Sequence, residues 1–126
     1  MFSHITVGSN DLDKSKAFYD AVFETMGVQS TMFDKDAGRL AYSNGGANYM
    51  ICTPINGEAA FHANGGTIGF NMADTATVDR WHDAGVAAGG TSVEGAPGRR
   101  DSNIGPAYLS YLRDPDGNKL CAIYRP

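Results

Sequence analysis

The sequence has little cysteine, no cluster of basic residues and no long hydrophobic run. Its two cysteines, Cys52 and Cys121, are too few for a disulfide framework, which favours a reducing, cytoplasmic setting. The only adjacent basic residues are Arg99 and Arg100 and the formal net charge is -4, so nucleic-acid binding is not expected. No apolar stretch suggests a signal peptide or reaches the length of a membrane span, so no membrane association is expected either.

The composition that remains is that of a folded domain. The chain has 126 residues, of which 42% are hydrophobic and 19% charged. This length is typical of one domain, and this apolar fraction is enough for a core. We therefore predict a single domain over residues 1–126, without long disordered segments.

Hydrophobic patterning predicts eight strands and two helices. Alternating apolar residues and β-branched or aromatic content mark the strands. They are expected at His4–Val7, Val28–Phe33, Leu40–Tyr42, Tyr49–Thr53, Thr67–Met72, Thr91–Glu94, Ala107–Leu112 and Lys119–Tyr124.

Helical spacing of apolar residues follows Asp11 and, again, Asp74. Either carboxylate can accept hydrogen bonds from the free N–H groups at a helix start. Gly27 suits the left-handed conformation just past the first helix, and Gly89–Gly90 ends the second.

The order β-α-β-β-β thus occurs twice, which indicates an internal repeat. An offset of 63 positions aligns five pairs, namely Ile5 with Ile68, Phe18 with Trp81, Asp20 with Asp83, Ala21 with Ala84 and Gly27 with Gly90. The prediction is an α+β fold of two βαβββ modules, residues 2–54 and 66–125. An unrelated α+β sandwich with chance matches is the alternative.

Three segments carry a family resemblance: the run from His4 to Leu12, the Gly95–Arg100 segment, and the run Arg-Asp-Pro-Asp-Gly-Asn-Lys-Leu at residues 113–120. Together they resemble the glyoxalase / bleomycin-resistance / extradiol-dioxygenase (vicinal oxygen chelate) superfamily. The resemblance implies a small-molecule cavity enclosed by the two modules, and a homodimer. Taken alone, Asp114–Gly117 predicts a tight turn with Gly117 at positive φ.

In metal-dependent members of that superfamily, the ligands come from the first and last strands of each module. His4 stands at the first of these positions, and Thr67 stands at its counterpart in the second module. Cys121 occupies a position where similar proteins commonly carry Glu. The fourth position falls on Cys52, or on Ile51 if the alignment slips by one residue.

Two functional hypotheses follow from these substitutions. The first is a protein that binds a small, partly apolar molecule and has no resident cofactor. In the second, His4, Cys52 and Cys121 bind zinc or nickel and the chain is a lyase or isomerase resembling lactoylglutathione lyase. A thiol-transfer enzyme is a third alternative, but it needs cation and metal sites that the sequence does not reveal.

Two further features concern the cavity. Along the strand at 107–112, Tyr108 and Ser110 alternate with Leu109 and Tyr111, and only one set faces the cavity. Tyr108 and Ser110 are taken as the cavity set. Gly95–Arg100 has no counterpart of equal length in the first module, so we expect a loop over the cavity mouth, where specificity tends to reside.

Overall fold

The computed structural model describes residues 1–126 and contains two four-stranded sheets, each with one helix. This architecture confirms the α+β fold with two βαβββ modules. The elements are β1 (His4–Gly8), α1 (Leu12–Glu24), β2 (Ser30–Asp34), β3 (Arg39–Asn44), β4 (Ala47–Cys52), β5 (Ile68–Asn71), α2 (Thr75–Ala87), β6 (Thr91–Ser102), β7 (Gly105–Arg113) and β8 (Lys119–Tyr124).

Strand order is the same in both sheets. The first runs β1-β4-β3-β2 and the second β5-β8-β7-β6. In each, the first strand pairs in parallel with the last, and the other pairs are antiparallel. The repeat seen in the sequence is therefore a structural repeat, and the unrelated sandwich is ruled out.

Both helices begin at the aspartates that the sequence indicates. Asp11 accepts a hydrogen bond from the Lys14 N–H at 3.1 Å, and Asp74 accepts one from the Thr77 N–H at 2.7 Å. Each satisfies one of the N–H groups that a helix start leaves free. Gly27 has φ +73°, as predicted for the residue that turns the chain after α1. Neither helix has the length and hydropathy that a membrane span requires.

One hydrophobic core joins the two modules. It contains Phe18, Tyr19 and Val22 of α1 together with Trp81 of α2, and each of these side chains is fully buried. Burial of one large apolar side chain contributes about 1.5–3 kcal/mol. Because both helices share this core, the modules are packed against each other and not merely linked.

The structure corrects the expectation for Gly95–Arg100. This segment is not a loop over a cavity mouth but part of β6, which pairs with β7 as far as Ser102. The extra residues form a bulge between Val93 and Gly98, where Glu94 and Gly95 have φ +58° and +85°. Arg100 Nη2 donates to the Glu94 carbonyl oxygen at 2.6 Å and closes the bulge. Extra residues in a strand are absorbed in this way without opening a loop.

Candidate functional site

Each sheet has a face that packs on its helix and an opposite face, which we call the open face. In β4, Tyr49 and Ile51 belong to the buried core, whereas Met50 and Cys52 are only partly buried. Successive side chains of a strand point to opposite sides. Met50 and Cys52 therefore lie on the open face of the first sheet.

Strand register identifies the residue equivalent to Cys121. Thr6 pairs with Met50 in the first sheet, and Gly69 pairs with Cys121 in the second. Thr6 and Gly69 correspond at the 63-residue offset, so Met50 is the counterpart of Cys121. Both assignments made from sequence, Cys52 and the alternative Ile51, therefore miss the fourth position. Ile51 in addition is fully buried on the helix side.

His4 and Cys121 lie in different surroundings. His4 is exposed on β1, where its Nδ1 forms a 2.7 Å hydrogen bond with the Ser3 hydroxyl. Cys121 is buried on the open face of the second sheet beside Ala107 and Leu109. Burial raises the pKa of the Cys121 thiol above its usual value. A raised pKa favours the thiol over the thiolate, and the thiolate is the form that acts as a nucleophile.

The four positions carry a donor set that does not suit zinc or nickel. They are occupied by one imidazole, one thioether, one hydroxyl and one buried thiol, from His4, Met50, Thr67 and Cys121. Imidazole, thiolate and carboxylate provide most protein ligation of these ions. No group of three or more His, Cys, Asp or Glu side chains is arranged to hold a metal. Cys52, at the end of β4, is a free, partly buried cysteine.

Tyr108 and Ser110 lie on the helix side of the second sheet and not on the open face. The Tyr108 hydroxyl donates to Asp79 Oδ1 of α2 at 2.8 Å. Ser110 is fully buried, and its hydroxyl has no hydrogen-bond partner. The alternating set that shares the open face with Cys121 is Leu109 and Tyr111, the reverse of the set chosen from sequence.

A cavity of about 320 Å³, which we call the junction cavity, lies where the two modules meet. Its walls come from β1, from the residues leading into β5, from the connecting segment and from the start of β8. Thr67 is the one predicted site residue that lines it; His4, Cys52 and Cys121 do not. The full lining is Thr6, Val7, Gly8, Phe61, His62, Ala63, Gly66, Thr67, Ile68, Asn118 and Lys119.

Lys119 supplies the charge at this cavity. Its ammonium group pairs with the Glu94 carboxylate and lies 4.8 Å from the centre of the Tyr111 ring. The Lys119 side chain is 23% exposed. Its ammonium group thus has an ion-pair partner in Glu94, and Lys119 is also one of the residues that line the cavity. Sequence reasoning missed this residue, because a single lysine after a turn has no distinctive pattern.

A buried polar network holds the turn at residues 114–117 against the first module. Asp114 Oδ2 accepts hydrogen bonds from the Tyr19 hydroxyl at 2.5 Å and from Asn118 Nδ2 at 2.8 Å. The Tyr19 hydroxyl also bonds the Tyr49 hydroxyl at 2.9 Å. Asn118 Nδ2 also lies within hydrogen-bond distance of the Gly8 carbonyl oxygen, at 3.2 Å. These hydrogen bonds therefore attach the turn of the second module to the first module at the edge of the junction cavity.

Asp116 adds a second attachment at the same turn. Its carboxylate accepts from the Asn10 N–H at 2.8 Å and from the Ser15 hydroxyl at 3.3 Å. The sequence predicts the turn, and Gly117 has the expected positive φ of +91°. The partners lie about a hundred residues away in the chain, so no local signal could have identified them.

Comparisons with known proteins agree with this geometry. Residues 1–122 match the family model of the Glyoxalase/Bleomycin resistance protein/Dioxygenase superfamily. A crystal structure of a glyoxalase/bleomycin resistance protein from Albidiferax ferrireducens T118 is 49% identical, with a TM-score of 0.94 and 99% of each chain covered. No curated protein matches the chain.

More distant structures share the fold. A glyoxalase-related enzyme from Fulvimarina pelagi is 22% identical with a TM-score of 0.77, and the match covers 100% of this chain and 88% of the other. A lactoylglutathione lyase from Agrobacterium tumefaciens is 20% identical with a TM-score of 0.67, covering 98% and 92%. At these identities the likeness concerns the fold alone, because one fold hosts many activities.

Proposed function

Because the chain belongs to the Glyoxalase/Bleomycin resistance protein/Dioxygenase superfamily, we propose that it binds a small, partly apolar molecule in the junction cavity without a resident metal ion. The observation that carries this proposal is the cavity itself. Its volume of about 320 Å³ falls in the range of small-molecule sites. Both modules contribute their first strands to its walls.

The lining indicates which chemistry the molecule has. Phe61 and Ile68 offer apolar surface, and Thr6 and Thr67 offer hydroxyl groups. Lys119 is the one permanently charged side chain in the wall. A compact molecule with an apolar body and a carboxylate matches this arrangement, since the Lys119 ammonium, which has three N–H donors and is paired with Glu94, can form a further charge-assisted hydrogen bond with an anionic oxygen.

We expect Lys119→Met to weaken binding of benzoate, used as a probe, by at least about tenfold. A hydrogen bond to a charged group contributes about 1.5–3 kcal/mol, and about 1.4 kcal/mol corresponds to tenfold. Methionine has a similar length but no charge. The measurement is a benzoate titration monitored by the changes in NMR chemical shift of Thr6 and Thr67.

Lys14→Met, at an exposed position of α1, is the matched control and should leave benzoate binding unchanged. Lys119→Arg keeps the charge and should restore most of the affinity. If benzoate fails to shift Thr6 and Thr67 in the unmodified protein, or binds Lys119→Met equally well, the proposed site is wrong.

The alternative function, an isomerase with a metal bound by His4, Cys52 and Cys121, predicts a different result. From the donor set, we expect well under one equivalent of zinc or nickel after dialysis against a chelator. We also expect no detectable isomerisation of a glutathione hemithioacetal when either metal is added. Stoichiometric metal, with sulfur–metal distances of about 2.3 Å by X-ray absorption, would establish the alternative.

We include a homodimer in the proposal. On the open face of the second sheet, Tyr111 and Ile123 are half-buried and surround the buried Ala107, Leu109 and Cys121. On the first sheet, Met32 on the edge strand is 39% exposed. Burial of such surface against a second copy is the usual basis of a symmetric dimer.

A further inference from the structure

A second cavity, of about 290 Å³, lies on the helix side of the first sheet and is separate in chemistry from the junction cavity. We call it the aromatic cavity. It is bounded by the end of α1, by the β3–β4 hairpin and by β5 of the other module. Its principal wall residues are Phe23, Met26, Tyr42, Tyr49, Ile68 and Phe70.

The aromatic rings of this wall are packed against one another. Phe70 meets Phe23 at 5.3 Å between ring centres with an interplanar angle of 87°, and meets Tyr49 at 5.4 Å and 70°. Phe23 lies 4.7 Å from the Tyr42 ring. The two contacts of Phe70 are edge-to-face and the Phe23–Tyr42 contact is tilted, and together they hold the rings in fixed orientations. The wall is therefore formed before any molecule enters it.

Both tyrosine hydroxyls are engaged with partners inside the protein. Tyr42 donates to Asp20 Oδ1 at 2.6 Å, and the Tyr49 hydroxyl bonds that of Tyr19 at 2.9 Å. Because both hydroxyl groups are hydrogen-bonded within the protein, the two tyrosines line the cavity with their aromatic carbon atoms. The inner wall thus lacks free hydrogen-bonding groups, and favours an apolar, flat molecule.

The rim is polar but uncharged. Ser43, Asn44, Asn48 and Asn71 line the cavity, and no Asp, Glu, Lys or Arg does. An anion or a cation would leave water here without an opposite charge to meet it, which is unfavourable. A neutral hydroxyl or amide group could instead bond the asparagine side chains.

We propose that the aromatic cavity binds a neutral, flat aromatic molecule that carries a hydrogen-bonding substituent. An apolar cavity of about 150 Å³ holds benzene, so a volume of about 290 Å³ admits a fused two-ring compound. The ring system would pack against Phe70, Tyr49 and Phe23, with its polar group at the asparagine rim. Because β5 forms one wall, the bound molecule would contact both modules.

The test uses 2-naphthol as the probe, titrated into the full-length protein and followed by calorimetry and by NMR. Binding should produce nuclear Overhauser contacts between naphthol protons and the rings of Phe70 and Tyr49. Ala47→Trp should weaken binding at least about tenfold, because Ala47 is exposed, lines the cavity and would fill it with an indole.

Ala87→Trp introduces the same side chain at an exposed end of α2 that lines neither cavity, and should leave naphthol affinity unchanged. Ala47→Trp should not alter benzoate binding, and Lys119→Met should not alter naphthol binding. These crossed controls separate failure of this site from failure of the junction cavity. Absence of naphthol binding up to its solubility limit, or equal binding to Ala47→Trp, would overturn the proposal.

Discussion

Gly90→Ala is expected to lower the free energy of unfolding by about 2–3 kcal/mol, near the upper end of the usual cost of overpacking. A Cβ atom at this position would lie 2.5 Å from Phe18 Cε2, 2.9 Å from the Gly85 carbonyl oxygen and 3.1 Å from the Arg113 carbonyl oxygen. Two of these three neighbours are backbone atoms. They cannot turn away as a side chain could, so α2 would have to move from the core.

Gly69→Ala is the matched control for this substitution. Gly69 lies in β5, has no positive φ, and a Cβ there would meet nothing within 4 Å. Replacement by alanine should leave stability unchanged or raise it slightly, because alanine reduces the entropy of the unfolded chain. Urea unfolding of both variants measures the difference. Equal effects of the two substitutions would show that close packing at Gly90 is not limiting.

The comparison of Gly90 with Gly27 shows what a sequence repeat can and cannot establish. The offset of 63 positions aligns the two glycines and correctly indicates two equivalent modules. Gly27 is required for its φ of +73°, in open space. Gly90 is required because Phe18 and two carbonyl groups leave no room for a side chain. Glycine is thus required for backbone conformation in the first module and for close packing in the second.

Helix positions were accessible from the sequence because their determinants are local. Asp11 and Asp74 begin the two helices as caps, and the apolar spacing within each helix places its buried face. The observed helices, Leu12–Glu24 and Thr75–Ala87, differ by the same 63-residue offset as the sequence repeat. A cap and a helical spacing need only a few neighbouring residues to be recognised.

The fourth site position could not be obtained in this way, because it depends on strand register. In the first module, β3 and β4 are joined by the short turn at Gly45–Gly46. In the second, β7 and β8 are joined by the longer segment 114–118. Similarity of residues along one strand does not show which residues of the neighbouring strand they pair with. Alignment of Cys52 with Cys121 rested on such similarity, and the observed pairing gives Met50 instead.

The hydrogen-bond network around Asp114 could not be predicted from the sequence either. Its removal is the second substitution for which we expect a large effect on stability. Asp114→Ala is expected to lower the free energy of unfolding by about 3 kcal/mol at neutral pH. The carboxylate accepts from the Tyr19 hydroxyl, from Asn118 Nδ2 and from the N–H groups of Asp116 and Asn118. Each buried donor left without a partner costs about 1–3 kcal/mol, and partial rearrangement offsets part of the total.

Asp114→Asn separates the hydrogen bonds from the charge. The amide oxygen can still accept from the two backbone N–H groups, and the Tyr19 hydroxyl can turn to accept from the amide nitrogen. We therefore expect a loss of about 1 kcal/mol, well below that of Asp114→Ala. Chemical unfolding of both variants at neutral pH provides the comparison. Similar losses for alanine and asparagine would mean that these hydrogen bonds do not hold the turn.

The pH dependence tests the ionisation of the same carboxyl group. Burial raises the pKa of Asp114 above its ordinary value of 3.8, against the opposing effect of its hydrogen bonds. The folded protein therefore binds this proton more tightly than the unfolded chain does. The resulting stabilisation is complete below pH 3.8 and is lost as the pH rises through the raised pKa.

Asp114→Asn has no such proton, so the advantage of the unmodified protein over this variant should shrink across that window. Unfolding of both proteins from about pH 3 to about pH 7 measures it. A difference that stays constant, or that grows as the pH rises, would show that the pKa of Asp114 is not raised in the folded state.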